Sequence, residues 1–336
     1  MRPFEFVRAD DSQAAIQTHG SGGTGAVNAS SQYLAGGTTL LDLMKLDVMR
    51  PSRIVDINGL SSLAEVDAST EGLRLGALAR MSDVADDAAV RRNFPVVAQA
   101  LQLAASAQIR NMATLGGNVL QRTRCTYFRD TSYSNCNKRI IGSGCAALEG
   151  INRQHAVLGA SNQCIATYPG DFAQALIALE AVVEVSGPNG NREFAFAKLH
   201  RQPGETPHIE TTLEPGELIT AFRVPATPFA RRSLFLKIRD RESYEFALAS
   251  AAVALDVDGG TVKQARIALG GVATVPWRAR EAEALLTGKP FSEQSANAAA
   301  EAAFASAKPR QHNGFKIELG KRALIRALHQ AASLEI

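Results

Sequence analysis

At 336 residues the chain is long enough for two or three domains, on a working scale of roughly 100–200 residues each. Hydrophobic residues make up 46% and charged residues 21%, ordinary values for a globular protein, which excludes disordered, collagen-like and coiled-coil chains. A net charge of +3, from 36 Lys and Arg against 33 Asp and Glu, lacks the concentrated basic excess of a nucleic-acid binder.

No stretch approaches the ~20 apolar residues that a membrane span needs. The longest, Phe246 to Leu255, is bounded by Glu245 and Asp256. The first residues, Met1 to Phe6, hold neither an apolar signal segment nor an arginine pair, so the expectation is a chain with no export signal of its own.

In chain order, an extended stretch leads into a short helix over Ser12 to His19 and then a Gly-rich turn. Gly20 to Gly25 spells G-x-G-x-x-G. A dinucleotide fingerprint must follow a strand and open a helix, whereas here a helix precedes it, so the stretch reads as a loop. Gln32 to Ala35 then reads as a strand, Gly36-Gly37-Thr38-Thr39 as a tight turn, and Leu40, Leu41 and Met44, at helical spacing, as a helix. Such a turn aims successive backbone N–H groups at one point, a geometry that suits phosphate or pyrophosphate. An ordinary strand–helix turn accounts for the same residues.

Ile54 to Ile57 and Leu73 to Leu75 read as strands, and Phe94 to Ala107 as one Ala- and Leu-rich helix. A second Gly-rich turn follows, in which Thr114 and Asn118 flank Gly116 and Gly117. Two such turns favour a large phosphate-bearing ligand. Further on, Ala173 to Leu179 reads as a helix, Val182 to Val185 as a strand, and Pro225 to Pro228 as a linker. Strands over Ser233 to Ile238 and Val262 to Leu269 alternate with helices over Ala279 to Leu286 and Lys321 to Leu334. The last helix places Leu324, Ile325, Leu328 and Ala331 on one face.

All four cysteines, Cys125, Cys136, Cys145 and Cys164, fall within 40 residues, with ten, eight and eighteen residues between them. Two disulfides would suit an oxidising compartment, although a chain of this size scarcely needs them to fold. A four-thiolate zinc site more usually contains a closely spaced Cys pair, absent here. An iron–sulfur cluster accepts irregular spacing where a loop wraps around it. Arg122, Arg124, Arg129, Lys138 and Arg139 would offset the charge of four thiolates, and Gly142, Gly144 and nearby residues would offer backbone N–H groups to sulfur. Softness alone does not separate zinc from iron–sulfur, so these readings stay open on chemistry.

None of the six histidines forms a metal-binding helix pair; His155, inside the cysteine-rich stretch, reads as an outer neighbour or a surface residue. Asp171 sits where a helix N-cap belongs, and Lys237 reads as an exposed strand lysine. No acid–base pair for an organic substrate stands out.

Ala35-Gly36-Gly37-Thr38-Thr39-Leu40-Leu41, Gln108-Ile109-Arg110-Asn111 and Ala113-Thr114-Leu115-Gly116-Gly117-Asn118 together resemble the FAD-binding subunits of the xanthine dehydrogenase and molybdenum hydroxylase family. Gly216-Glu217-Leu218-Ile219 and Gly270-Gly271-Val272-Ala273 resemble the later half of that family, so the likeness spans essentially the whole chain. Gln121 to Cys125, Cys136 to Arg139, Gly142 to Gly150 and Cys164 to Thr167 resemble the subgroup with an extra 4Fe–4S cluster, the periplasmic aldehyde oxidoreductase FAD subunits.

The resemblance implies an α+β fold. Residues 1–228 would form an FAD-binding PCMH-type domain of two α+β subdomains, carrying the four-cysteine insert at about 119–165. Residues 229–336 would form a C-terminal α+β domain of the CO-dehydrogenase-flavoprotein kind. Ala35 would open the turn in which Gly36, Gly37, Thr38, Thr39 and Leu40 hold the FAD pyrophosphate, with Gln32, Tyr33 and Leu34 lining its approach. Thr114, Gly117 and Asn118 would complete the phosphate and flavin contacts, and Thr123 would add one where the insert starts. Asp171 would bond the adenosine part, Ile219 would pack on it or on the ring, and Lys237 would lie near the flavin. Cys125, Cys136, Cys145 and Cys164 would hold the cluster.

In the resembling complexes a molybdenum-cofactor subunit oxidises an aldehyde or heterocycle, a 2Fe–2S subunit relays single electrons, and FAD passes them to an external acceptor. The resemblance therefore implies an oxidoreductase subunit in a heterotrimer, the electron outlet, with no catalytic residue for the organic substrate. It also implies a periplasmic location reached with a partner that carries the signal, against a cytoplasmic default. Two other classes compete. A stand-alone PCMH-type FAD reductase would need a nicotinamide site and its own acid, and a zinc-stapled binding module would have no redox activity.

Overall fold

The structure, a computed structural model, describes residues 1–20, 27–69 and 71–335. Its first unit is a parallel sheet of β1 (Glu5–Arg8), β2 (Ser31–Leu34) and β3 (Arg53–Asp56), with β3 in the centre. Ile54 pairs with Phe6 on one side and Gln32 on the other. Helix α1 (Ser12–His19) buries Ala15 and Ile16 against this sheet and takes its N-cap from Asp11, whose carboxylate accepts the Ala14 N–H at 2.7 Å. The glycine-rich stretch after α1 lies, apart from Gly20, outside the described residues. The expected strand–turn–helix is β2, the Gly-Gly-Thr-Thr turn and α2 (Leu40–Lys45).

The second sheet holds β4 (Val66–Ser69), β5 (Gly72–Gly76), β6 (Val182–Gly187), β7 (Gly190–Ala195) and β8 (Leu218–Pro225), all antiparallel, in the order β4-β5-β8-β6-β7. Its helical cover is α3 (Met81–Asp86), α4 (Ala88–Asn93), α5 (Pro95–Gln102), α6 (Ala107–Met112), α7 (Leu115–Val119) and α9 (Phe172–Ala178), while α8 (Thr126–Arg129) is a single turn inside the cysteine-rich insert. Phe94 to Ala107, read as one helix, is two. Ala105 takes φ 50°, and Ser106 restarts the chain as the N-cap of α6, its Oγ accepting the Ile109 N–H at 3.3 Å. Periodicity alone carries no mark of that break.

The third sheet runs β12-β11-β10-β9, antiparallel throughout: β9 (Ser233–Ile238), β10 (Ala249–Asp258), β11 (Thr261–Gly270) and β12 (Trp277–Arg278). Helices α10 (Arg280–Leu286), α11 (Glu293–Phe304) and α12 (Phe315–Ala332) pack on it. The apolar run from Phe246 to Leu255 is explained by β10, which is buried on both faces. Ala252 and Ala254 join the apolar cluster of the second sheet, while Ala249, Ala251, Val253 and Leu255 join the cluster under α12. Among the described residues no helix is long and apolar enough to cross a membrane. The largest apolar cluster crosses residue 228, since Phe229, Phe235 and Ala268 pack with α5 and α9.

Candidate functional site

A cavity of about 450 Å³ opens where the first sheet, α7, the insert and β8 meet. Of the residues singled out in the sequence, Gln32, Tyr33, Ala35, Gly36, Gly37, Thr38, Thr39, Leu40, Thr114, Gly117, Thr123 and Ile219 line it. The two Gly-rich turns, far apart in sequence, thus face one space.

Local chemistry explains why these residues take this shape. A Cβ on Gly36 would lie 2.0 Å from the Met112 carbonyl oxygen, so only glycine lets the first turn pass the end of α6. Gly37 has φ +74°, the left-handed region. Thr38 and Thr39 donate their N–H groups to no backbone carbonyl among the described residues, while Leu41 N–H returns to Gly37 O at 3.1 Å. In the second turn the Thr114 hydroxyl accepts the Gly117 N–H at 3.3 Å, and Gly116 N–H donates to Ala77 O at 2.8 Å. Tyr33 is held by its hydroxyl, which donates to Gly216 O at 2.9 Å, and by stacking on His19 with ring centroids 4.2 Å apart. Burial raises the Tyr33 phenol pKa above its ordinary value, so Tyr33 stays protonated. Thr123 donates to Thr167 O at 2.9 Å and accepts the Cys125 N–H at 3.2 Å, tying the cavity wall to the first cysteine.

Leu34, Asn118, Asp171 and Lys237 are not on the cavity wall. Leu34 packs into the apolar cluster with Leu43 and Ile54, and Asn118 Nδ2 donates to Met81 Sδ at 3.3 Å. Asp171 does occupy the N-cap position of α9 but has helical backbone angles and caps nothing. Its carboxylate instead accepts from Lys237 Nζ at 2.7 Å, with side-chain exposures of 4% and 1%. Lys237 is therefore not an exposed strand lysine: β9 packs on α5, and Nζ also donates to Leu103 O at 3.0 Å. Burial raises the Asp171 carboxyl pKa, and the Lys237 charge pulls it back. The pair joins α9 to β9 through one carboxylate oxygen, while the other, Oδ1, is buried with no hydrogen-bond partner among the described residues. Asp171→Asn, which strands a buried ammonium, is expected to cost about 3–5 kcal/mol in urea denaturation, with most of it recovered in the Asp171→Asn/Lys237→Met double variant. A loss below about 1 kcal/mol would contradict this account of the pair.

The insert folds around its cysteines. Cys125 precedes α8, and Cys136 and Cys145 face each other as an isolated antiparallel bridge. The Cys145 and Cys164 thiols share a hydrogen bond, which draws Cys145 down to about 7 and pushes Cys164 well up. Burial raises Cys125 to about 12. The four cysteines form no disulfide. Among the described residues no three His, Cys, Asp or Glu side chains converge on a point that would hold a single metal ion.

Of the expected backbone donors to sulfur, the neighbouring Ala147 serves Cys145, whereas Gly144 donates elsewhere. Gly142 and Gly144 take positive φ, 79° and 96°, and Gly144 N–H donates to Asn137 Oδ1 at 2.9 Å. The N–H groups that reach sulfur belong to Tyr127 and Phe128 at Cys125, Ala147 and Ile165 at Cys145, and Ala166 at Cys164 (3.4 Å). The basic residues are also partly spent. Arg124 and Arg129 bind Asp42 at 3.2 and 2.7 Å, and Arg122 and Lys138 bind Glu210 at 2.6 and 2.5 Å. Two acids serve four cations there, so positive charge remains in excess beside the thiols.

Sequence reasoning missed two features. His200 and Glu210 line the main cavity, because the segment around residues 200–213 closes over it without any periodic signal, and they meet there Lys138 and Cys164 of the insert. A second cavity of about 290 Å³ shares Thr123, Thr167, Tyr168 and Pro169 with the first and reaches Cys125 and His155. Of the two readings of His155, the structure agrees with the outer neighbour of the cysteines and not with the surface residue. His155 is 6% exposed, its Nε2 is 3.1 Å from Cys125 Sγ, and burial lowers its pKa to about 4.

Residues 2–227 match the family described as the FAD binding domain in molybdopterin dehydrogenase, and residues 235–331 match the CO dehydrogenase flavoprotein C-terminal domain. The aldehyde oxidoreductase FAD-binding subunit PaoB of Escherichia coli K12 is 49% identical over 303 residues, covering 90% of this chain and 91% of that one. The xanthine dehydrogenase FAD-binding subunit of Escherichia coli O157:H7 is 26% identical, covering 85% and 82%. A solved carbon monoxide dehydrogenase from Hydrogenophaga pseudoflava superposes with a TM-score of 0.75 at 27% identity, covering 98% of this chain and 97% of that chain. With a family model over two thirds of its length, a near-half-identical relative and the α+β architecture described above, the chain belongs to the FAD-binding subunits of the molybdenum hydroxylases, a family of oxidoreductases.

Proposed function

We propose that this chain carries FAD and a 4Fe–4S cluster and is the electron outlet of a molybdenum-dependent aldehyde oxidoreductase. The observation that carries the reading is the shared wall: Cys164, one of the four clustered thiols, lines the same cavity as the Gly36–Thr39 turn. Likeness to the aldehyde oxidoreductase subunit favours an aldehyde over a purine as the substrate of the assembly.

The residues present fit the flavin nucleotide. Thr38 and Thr39 line the cavity and their N–H groups donate to no backbone carbonyl among the described residues, and the glycine at 36 admits no Cβ. Gly36 to Leu40 would hold the pyrophosphate, Thr114 and Gly117 would close the opposite side, and Ile219 would supply an apolar wall. Tyr33, pinned by Gly216 and His19, would keep water from that side. The flavin supplies the ability to accept electrons singly and release them singly or in pairs.

The residues also fit the cluster. Four thiols meet in one irregular loop, several backbone N–H groups face their sulfurs, and cations outnumber acids around them. A cubane takes one thiolate on each of its irons and so needs no three ligands around one point. Cys125, Cys136, Cys145 and Cys164 would each bind one iron. The partners in this reading are a molybdenum-cofactor subunit and a 2Fe–2S subunit, with export to the periplasm on a partner's signal.

The test is the metal, sulfide and flavin content of anaerobically purified protein co-expressed with its neighbouring subunits. About four irons and one FAD per chain, in a complex with both partners recovered from the periplasmic fraction, is the expected result. One zinc and no iron beside the flavin would remove the cluster from the reading, and absence of flavin would sink it.

A further inference from the structure

We infer that His155 is a positioning residue for the cluster, that its Nε2–H donates to the Cys125 sulfur, and that the C-terminal domain holds it in place through Lys316 and Asn313. This rests on the four-thiolate cluster reading above and adds a named determinant of its reduction potential.

Chemistry assigns the proton. His155 Nε2 lies 3.1 Å from Cys125 Sγ, and Nδ1 is buried with no hydrogen-bond partner among the described residues. A proton on Nδ1 would leave a buried donor unsatisfied, whereas a proton on Nε2 meets an acceptor. A thiolate bound to iron has no proton of its own to offer, so the imidazole must be the donor.

The grip on His155 comes from the start of α12 and the loop before it. Lys316 Nζ donates to the Gln154 and His155 carbonyls at 3.1 and 3.3 Å. Asn313 Nδ2 donates to the His155 and Ala156 carbonyls at 3.3 and 3.1 Å. His312 N–H donates to Asn152 Oδ1 at 2.9 Å, and Asn152 Nδ2 continues to Ala147 O at 3.2 Å. Asn152, Asn313 and Lys316 are each 0% exposed. A buried lysine with no carboxylate beside it among the described residues is a poor way to stabilise a fold. An apolar side chain would pack there at lower cost, and what Lys316 adds is the hold on the Gln154–His155 segment.

The electrostatic consequence has a definite sign. One-electron reduction of the cluster adds negative charge that is shared by the ligand sulfurs, so an N–H donor to Cys125 stabilises the reduced form more than the oxidised one. Removing the donor lowers the potential.

The experiment is an EPR-monitored redox titration of the co-purified complex, comparing wild type with His155→Phe, His155→Gln and Lys316→Met, with iron measured in each. His155→Phe is expected to shift the oxidised-to-reduced ratio about tenfold toward the oxidised form at fixed potential, equal to about 59 mV. His155→Gln, which keeps an N–H on a side chain of similar reach, is expected to recover most of it. Lys316→Met leaves the imidazole and all four ligands intact and is expected to shift in the same direction by less. An unchanged potential in His155→Phe with full iron overturns the inference while leaving the cluster reading standing. If His155→Phe loses its iron, Lys316→Met decides: a downward shift supports the inference and none overturns it. A wild-type complex without iron removes the cluster reading first, and the inference with it.

Discussion

Cys136→Ser is expected to reduce iron from about four atoms per chain to fewer than one while leaving flavin content near the wild-type level. Cys136 is 8% exposed, packs beside Leu43, Met44 and Phe128, and faces Cys145 across an isolated bridge. Its N–H is already anchored to Ser134 O at 3.1 Å and Ser143 Oγ at 3.0 Å, so the loop keeps its shape around the changed side chain. A serine hydroxyl of similar size is a hard, protonated oxygen where iron–sulfur chemistry calls for a soft thiolate. Cys136, unlike Cys164, does not line the main cavity, so the variant separates loss of the cluster from damage to the flavin cradle. Full iron retention in this variant would remove Cys136 from the ligand set. Loss of flavin together with iron would mean that the insert and the cradle fold as one unit.

Gly36→Ala is expected to lower flavin occupancy more than tenfold and to cost about 1–3 kcal/mol of stability, typical of overpacking in a tight site. The added Cβ would stand 2.0 Å from Met112 O, 2.8 Å from Met112 C and 2.9 Å from Ala113 Cα. All three are backbone atoms, and none can turn aside as a side chain would. Ala113 is fixed in turn by bonds from its N–H to Ile109 O at 2.7 Å and from Met81 N–H to its own carbonyl at 3.0 Å. The methyl must therefore push the Gly36–Leu40 turn away from the Thr114–Gly117 turn, and the two halves of the cradle lose register. Gly59→Ala is the control, since a Cβ there meets nothing within 4 Å. Flavin released by acid and counted per chain reads both variants. Wild-type occupancy in Gly36→Ala would show that the close approach at Met112 does not shape the binding site.

Much of the scaffold is legible in the sequence, and the reason is local. The helix over Ser12–His19 and the strand over Ser233–Ile238 have the bounds that periodicity and capping residues suggest, because both signals lie within the element itself. The strand–glycine–helix turn around Gly36 is legible for the same reason. The single helix expected from Phe94 to Ala107 was not, since Ala and Leu continue through a break that rests on one left-handed alanine and a serine cap.

Residues whose role depends on a distant partner were misread or left undecided. Lys237 looks exposed on a strand pattern, yet β9 packs on α5 and buries its amine on Asp171, 66 positions away. His155 carries no motif, yet the fold sets its ring on Cys125 and its carbonyl on Lys316, 161 positions further on. Gly144, expected with its neighbours to donate to sulfur, serves the turn instead, while the nearby Ala147 and the more distant Ala166 donate.

The chemical inventory comes from the sequence: four cysteines confined to 40 residues and two glycine turns able to approach a phosphate. The tertiary structure alone decided which of these share a cavity, which charges are spent on one another, and which histidine meets a thiol. Composition and period describe a residue against its near neighbours in the chain, whereas burial and hydrogen bonding across long loops are set only when the sheets and helices close on each other.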